Sequence, residues 1–163
     1  MRRAPRHRAP PQWRRNPTKV GWTASVPAPS LGLMNQQDGQ VVSIVDDDES
    51  LRRSLRNLFS SVGFQVETFA TAEAFLESLH RRRPGCLVLD LRMPGVDGFA
   101  LLEHLSGMDA RIPVVILTAH GDDQARQRSL ESGAVAFLTK PFASGALLDA
   151  VRTALEHGGR RGD

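Results

Sequence analysis

The sequence predicts an α/β domain in which a doubly wound, five-stranded parallel sheet carries helices on both faces. First, short apolar runs alternate with segments whose apolar residues recur every three or four positions. Second, the connections between these segments are short, so each helix is expected to cross over between parallel strands. Third, roughly 120 residues follow the start of the pattern near residue 41, a length that suits one domain of this kind.

The predicted strands are short and rich in β-branched residues. They cover residues 41–45, 65–69, 86–89, 113–117 and 135–138. The third and fourth are apolar on both faces, which is typical of central strands in a parallel sheet.

Residues able to cap a helix precede four of the predicted helices. They are Asp48, Thr71, Asp97 and Asp122. Glycine is expected to end two of these helices, the first at Gly63 and the fourth at Gly133. The second is predicted to run through His80, and the last from about residue 144 to 157.

Each helix has apolar residues at helical spacing, which we expect to face the sheet. For the first helix they are Leu51, Leu55, Leu58, Phe59 and Val62. For the second and third they are Ala74, Phe75, Leu79, Phe99, Leu102 and Leu105. For the last they are Leu147, Leu148, Val151 and Leu155.

The charge of the chain is unevenly distributed. Residues 1–40 carry seven Lys or Arg against one Asp, a net charge of +6, whereas the remaining residues carry 14 against 17, a net charge of −3. We therefore expect a basic, Pro- and Arg-rich disordered tail at 1–39, a mildly acidic domain at 40–157 and a short tail at 158–163. Translation from Met34 is a second interpretation of the tail.

Several classes of protein are disfavoured by composition. A single cysteine, Cys86, excludes an internal disulfide framework and a Cys-rich zinc site. No apolar run approaches the ~20 residues that span a bilayer, and the start lacks the apolar core of a secretory signal, so we expect no membrane association and a cytoplasmic location. Neither G-x-G-x-x-G nor a Walker A pattern occurs, which disfavours a nucleotide-binding protein.

Polar residues that can carry chemistry follow four of the five strands. Asp46 and Asp47 follow the first strand, Asp90 the third, Thr118 the fourth and Lys140 the fifth. In doubly wound sheets, ligands bind beyond the carboxyl ends of the strands. Carboxylates gathered there repel one another, and a hard cation with oxygen ligands relieves this repulsion. The pattern predicts a Mg²⁺ site with Asp90 as a nucleophile toward a phosphoryl group.

Each of these residues also has an ordinary structural interpretation. An aspartate after the first strand can cap the first helix, Asp90 can belong to a turn, Thr118 can end a strand, and Lys140 can be solvated. The coincidence of all of them at one predicted edge favours the functional interpretation.

Four stretches of the chain resemble the receiver domains of bacterial two-component response regulators, which have the CheY-like form of the flavodoxin-like fold. They are IVDDDES (44–50), CLVLDLRMPGVDG (86–98), VVILTAHGD (114–122) and GAVAFLTKPF (133–142). The resemblance covers about residues 40–157, and the sequences of these motifs are most similar to those of the FixJ-type branch.

The resemblance implies a role for each site residue. Asp90 would be the phosphorylation site, with Thr118 and Lys140 as phosphate contacts. Asp90, Asp47, Asp46 through a water, and the backbone carbonyl of Arg92 would hold Mg²⁺. Two further expectations come from the same source. Thr118 and Phe137 would be the switch residues, and the Lys140–Pro141 bond would be cis.

The resemblance also implies partners. A histidine kinase or phosphotransfer protein would supply the phosphoryl group, and the domain would act as a signalling module that catalyses only its own phosphorylation and dephosphorylation. The fourth helix, fifth strand and last helix would form the face for a downstream protein or for homodimerisation. FixJ-type members usually continue into a DNA-binding domain, whereas this sequence stops at Asp163. We therefore expect a stand-alone receiver without direct DNA contact.

Two other classes of function are weighed against this one. A phosphatase of the haloacid-dehalogenase type needs a second aspartate two residues after the nucleophile, and Arg92 occupies that position. A transcriptional regulator would bind DNA through the basic tail or through a separately encoded output domain. If the tail binds DNA, the binding should depend on salt and should be lost on deletion of residues 1–33.

Overall fold

The computed structural model of the chain describes residues 41–93, 96–108 and 111–159. The predicted tail at 1–39 and most of the predicted segment 158–163 lie outside the described residues.

Five parallel strands form the sheet, in the order β2-β1-β3-β6-β7. They are β1 (Val41–Val45), β2 (Gln65–Phe69), β3 (Cys86–Leu89), β6 (Val114–Thr118) and β7 (Ala136–Thr139). The order reverses between β1 and β3, which is where such sheets bind ligands. The predicted doubly wound α/β fold is confirmed.

Five helices are described, of which four lie between successive strands of the sheet and the fifth follows β7. They are α1 (Glu49–Ser61), α2 (Ala72–Ser78), α3 (Gly98–Ser106), α4 (Asp123–Glu131) and α5 (Ser144–Gly159). Two short antiparallel strands of two residues each, β4 (Arg92–Met93) and β5 (Val96–Asp97), pair with each other before α3. They were not predicted. In the described part of the chain, no helix combines the length and apolar character needed to cross a membrane.

Local chemistry sets most helix boundaries. The side chains of the four predicted N-cap residues each accept a hydrogen bond from a backbone N–H in the first turn of the helix they precede. Gly63 and Gly133 follow α1 and α4 with φ of +94° and +100°, a conformation that glycine adopts without steric cost. The four predicted caps and both glycine positions are confirmed.

Some boundaries and burial assignments differ from the predictions. Helix α2 ends at Ser78 rather than His80, and strands β6 and β7 each begin and end one residue later than predicted. Val62, predicted to face the sheet, is 39% exposed because α1 ends one residue before it. Phe99 is only half-buried, and its ring is covered by the side chain of the exposed Arg128, whose Cζ lies 4.1 Å from the ring centroid.

One face of the sheet is covered by α1 and α5. Apolar side chains from β1, β3 and β6 pack there against both helices in a continuous core. Leu55 and Phe59 of α1 and Leu147 and Val151 of α5 are at most 2% exposed. Burial of apolar side chains is the main stabilising contribution to a domain such as this one. It also anchors the strands whose carboxyl ends carry the polar residues.

Candidate functional site

The sheet register brings the predicted site residues to one edge. Val45 is paired with Leu89, so Asp46 and Asp90 each lie one residue beyond a paired position on neighbouring strands. Thr118 ends β6 and is paired with Thr139, which precedes Lys140. Four chain segments that are distant in sequence therefore end side by side.

Three carboxylates form a cluster at this edge. Each of Asp46, Asp47 and Asp90 offers an oxygen atom, and these atoms all lie within 4.8 Å of one another. Asp46 is 3% exposed and Asp90 is 7% exposed, whereas Asp47 is open to solvent. The cluster is therefore buried on one side and accessible on the other.

Lys140 joins the cluster with its ammonium group. Its Nζ donates to Oδ2 of Asp46 at 2.9 Å and to Oδ2 of Asp90 at 3.3 Å. Burial acts to lower the pKa of Lys140, but the hydrogen bonds and negative charges of the two aspartates outweigh it, so the pKa is raised. Lys140 therefore carries a positive charge at neutral pH.

Burial has the opposite effect on Asp46. Loss of solvation raises the pKa of its carboxyl, and the negative charge of Asp90 adds to that rise. The backbone N–H of Asp48, which donates to Oδ1 at 2.9 Å, and the ammonium of Lys140 act against the rise without cancelling it. The pocket holds more negative charge than its own groups neutralise, which is the condition that favours cation binding.

The loop after β3 is held tightly against Asp90. The backbone N–H of Arg92 donates to Oδ1 of Asp90 at 3.1 Å. Gly98 packs so closely that a Cβ on it would lie 2.5 Å from Cα of Leu91 and 2.7 Å from the carbonyl oxygen of Asp90. Only glycine fits at this position without a shift of the backbone.

Thr118 ends β6 at the same edge of the sheet, and Phe137 lies on the neighbouring strand β7. Thr118 is fully buried, and its Oγ1 accepts from the backbone N–H of His120 at 3.3 Å. Phe137 is half-buried on β7, beneath Gly121, where a Cβ would lie 2.8 Å from the ring. The Lys140–Pro141 bond is cis, as predicted.

Sequence reasoning missed three contributors to this region. Arg52 donates to the backbone carbonyl of Asp46 at 2.8 Å and so ties α1 to the end of β1. Glycine is required at positions 98 and 121 because neighbouring residues lie too close to leave room for a Cβ. No motif marks a guanidinium six residues after an aspartate as a backbone contact. Both glycines lie within the quoted stretches 86–98 and 114–122, which is the one signal they give.

The donor set fits Mg²⁺. All the ligand atoms offered by the cluster are carboxylate oxygens, which a hard divalent cation prefers, and the exposed side leaves room for the waters that Mg²⁺ retains.

A family model supplies the identity of the domain. The model described as the response regulator receiver domain matches residues 42–152, most of the chain. The chain belongs to the response regulator receiver family. Receiver domains are signalling modules of two-component systems; they bind Mg²⁺ in an acidic pocket and interact with histidine kinases or phosphotransfer proteins.

Related receivers agree with this assignment. Nodulation protein W of Bradyrhizobium diazoefficiens is 44% identical over 121 residues, which are 74% of this chain and 53% of that protein. The transcriptional regulatory protein FixJ of the same organism is 40% identical over 70% of this chain and 56% of its own length. The chain thus spans about half the length of these relatives.

Solved receiver structures share the fold. The response regulator StyR is 50% identical, with a TM-score of 0.68 over 74% of this chain and 61% of that chain. The receiver FixJ-N is 40% identical, with a TM-score of 0.66 over 72% of this chain and 94% of that chain. The predicted likeness to CheY-like receivers and to the FixJ-type branch is confirmed.

Proposed function

We propose that the chain accepts a phosphoryl group on Asp90 from a phosphohistidine of a histidine kinase or phosphotransfer protein. One observation carries this proposal. Asp90 lies among two further carboxylates and an ammonium group at the edge where the strand order reverses. A nucleophile, a cation site and a fixed positive charge are the parts that phosphoryl transfer requires.

In the proposed step, an oxygen of the Asp90 carboxylate attacks phosphorus. The new O–P bond forms as the P–N bond to the donor imidazole breaks, and the imidazole nitrogen retains the electron pair and takes a proton from solvent. Lys140, held at Asp90 by a 3.3 Å contact, contributes positive charge beside the entering phosphoryl oxygens. Attack of water on phosphorus later breaks the bond between Asp90 and phosphorus, which releases inorganic phosphate and restores the free carboxylate.

The metal ligands in this proposal are Asp47 directly, Asp46 through a water, Asp90, and the backbone carbonyl of Arg92. The clustered oxygens of the three aspartates support the assignment of the carboxylates. Arg92 belongs to the loop bound to Asp90 through its own N–H, which supports the position of its carbonyl near the site. Bound Mg²⁺ would neutralise charge on the phosphoryl oxygens.

Thr118 and Phe137 would connect phosphorylation to binding. Thr118 ends β6 next to the site, and its hydroxyl can donate to a phosphoryl oxygen. Movement of Thr118 would displace the loop above Phe137, where Gly121 lies against the ring. The output face in this proposal consists of α4, β7 and α5, and it would bind a downstream protein or a second copy of the chain.

Control of transcription is the second candidate function. FixJ is named a transcriptional regulatory protein, and this chain spans about half of it. An output domain encoded with the chain or separately would then contact DNA. The basic segment 1–40 offers a further route, because it carries a net charge of +6.

Intact mass spectrometry tests the proposed phosphorylation. Incubation with acetyl phosphate and Mg²⁺ should add the mass of one phosphoryl group to the native chain and none to Asp90→Asn. Asp149→Asn is the matched control, since Asp149 is an exposed carboxylate on α5. Equal labelling of Asp90→Asn and the native chain would contradict the assignment.

Duplex DNA titrated at increasing salt tests the second candidate. Direct binding through the basic segment predicts an affinity that falls steeply with salt and is lost on deletion of residues 1–33. Binding at physiological salt that survives the deletion would point to the receiver surface instead.

A further inference from the structure

The outer edge of β2 has the features of a second binding site. Strand β2 lies at one end of the sheet, and among the described strands only β1 pairs with it. The carbonyl of Phe69 accepts from the N–H of Asp46 at 3.2 Å, so the backbone groups of Phe69 face β1. Alternate residues of a parallel strand face the same neighbour. The N–H and C=O groups of Val66 and Thr68 therefore point outward, where they can pair with another chain.

A cleft of about 500 Å³ opens beside this edge. Its walls come from both faces of β2, from α1 and from the loop after α2. Three arginines line it, Arg56 from α1 and Arg81 and Arg82 from the loop. Glu67 of β2 is the one carboxylate among the lining residues. Among the described lining residues, arginines therefore outnumber carboxylates three to one.

Two of these arginines are positioned along the strand itself. Arg56 donates to Oγ1 of Thr68 at 3.2 Å, and Arg82 donates to Oε1 of Gln65 at 2.6 Å. The hydroxyl of Thr68 is neutral, so this contact orients the Arg56 guanidinium without neutralising it. Guanidinium groups aligned with an exposed strand suit carboxylates that follow one another along an extended segment.

We propose that the outer edge of β2 binds an extended acidic segment of a partner protein by strand addition. Outward backbone groups of Val66 and Thr68 would supply the main-chain hydrogen bonds, and Arg56 and Arg81 would select acidic side chains. The site is separate from the carboxylate cluster and does not depend on phosphorylation of the chain.

Charge decides between occupants. A second copy paired through the same edge would place these arginines opposite themselves, and like charges across a strand pair are destabilising. The basic stretch of the chain's own residues 2–19 carries a net charge of +7 and does not complement these arginines. An acidic segment of another protein is the complementary occupant.

The test uses a synthetic peptide of alternating Glu and Val with blocked ends. NMR titration should locate the largest shifts on β2, and the amide hydrogens of Val66 and Thr68 should become protected from exchange. A control peptide keeps every Glu but replaces Val with Pro, which cannot donate to the strand. It should bind much more weakly and give no protection.

Matched protein variants separate this cleft from general charge attraction. Arg56→Gln/Arg81→Gln should weaken binding of the Glu–Val peptide roughly tenfold, from two exposed charge pairs. Arg111→Gln/Arg152→Gln removes the same charge from exposed positions outside the cleft and should leave binding within about twofold.

Four results would overturn the proposal. They are absence of peptide binding, equal binding of the proline peptide, preference of the cleft for single-stranded DNA over the peptide, and concentration-dependent dimerisation that protects Val66 and Thr68 without any peptide.

Discussion

The central strand β3 is buried at both ends, but the two ends differ in the chemistry of their surroundings. At its amino end Cys86 is fully buried among apolar side chains, and burial raises the pKa of its thiol to about 12. One residue beyond its carboxyl end, Asp90 is also buried, yet it contacts an ammonium group and has an oxygen within 4.8 Å of oxygens of two further carboxylates. The same degree of burial stabilises the fold at one end and concentrates charge at the other.

The difference shows how stability and function are separated within one sheet. Apolar burial in the body of the sheet stabilises the fold, whereas carboxylates kept close together at its end oppose folding unless a cation compensates them. Four substitutions test this contrast, in order of decreasing expected effect.

In the body of β3, Leu87→Ala should lower the free energy of unfolding by about 3 kcal/mol, because it leaves a cavity where a fully buried side chain stood. Urea denaturation measures the loss. The control is Leu130→Ala, which removes a side chain that is 42% exposed and should cost less than about 1 kcal/mol. Similar losses for both variants would contradict the assigned core.

At the carboxyl end, Lys140→Met should cost about 2 kcal/mol without Mg²⁺, because it leaves Asp46 and Asp90 buried without their ammonium partner. The loss should shrink when Mg²⁺ is added, since the cation replaces the missing positive charge. Urea denaturation with and without Mg²⁺ gives both values. A loss of the same size in both conditions would show that Lys140 acts through packing alone.

Mg²⁺ itself should stabilise the native chain by about 1.4 kcal/mol at ten times its Kd, because it binds the folded cluster and not the unfolded chain. Asp47→Asn removes one exposed carboxylate of the cluster and should abolish most of this gain. Thermal unfolding across a Mg²⁺ series provides the measurement. The control is Asp149→Asn, which keeps all three carboxylates of the cluster and should respond to Mg²⁺ like the native chain.

The smallest effect is expected at a surface ion pair. Arg53 lies 3.4 Å from Glu49 on α1, and the two side chains are 74% and 76% exposed. Arg53→Gln should change the free energy of unfolding by less than about 0.5 kcal/mol, since solvent screens the pair. A loss approaching that of Lys140→Met would remove the contrast between buried and exposed charge.

Local chemistry made much of the fold predictable. Asp48 caps α1 because its carboxylate reaches the N–H of Leu51 three residues on, and Gly63 ends that helix because it accepts a positive φ. These contacts are short in sequence, so the residue types alone predict them. The burial of Val62 and Phe99 was predicted wrongly, because it depends on where a helix ends and on which side chains pack against it.

The candidate site was predictable only as a group of residues at strand ends. The sequence places Asp46, Asp47, Asp90, Thr118 and Lys140 at the ends of four of the five strands, and parallel pairing requires that those ends share one edge.

By itself, then, the sequence determined the alternation of strands and helices, their caps and the chemistry gathered at one edge, since these follow from hydrogen bonds and periodicity within a few residues. Tertiary structure alone decided the contact of Lys140 with both aspartates, the close approach of Gly98 and Gly121, and the basic cleft beside β2. Each of these depends on distances between segments that are far apart in the chain, and such distances are set by packing rather than by local pattern.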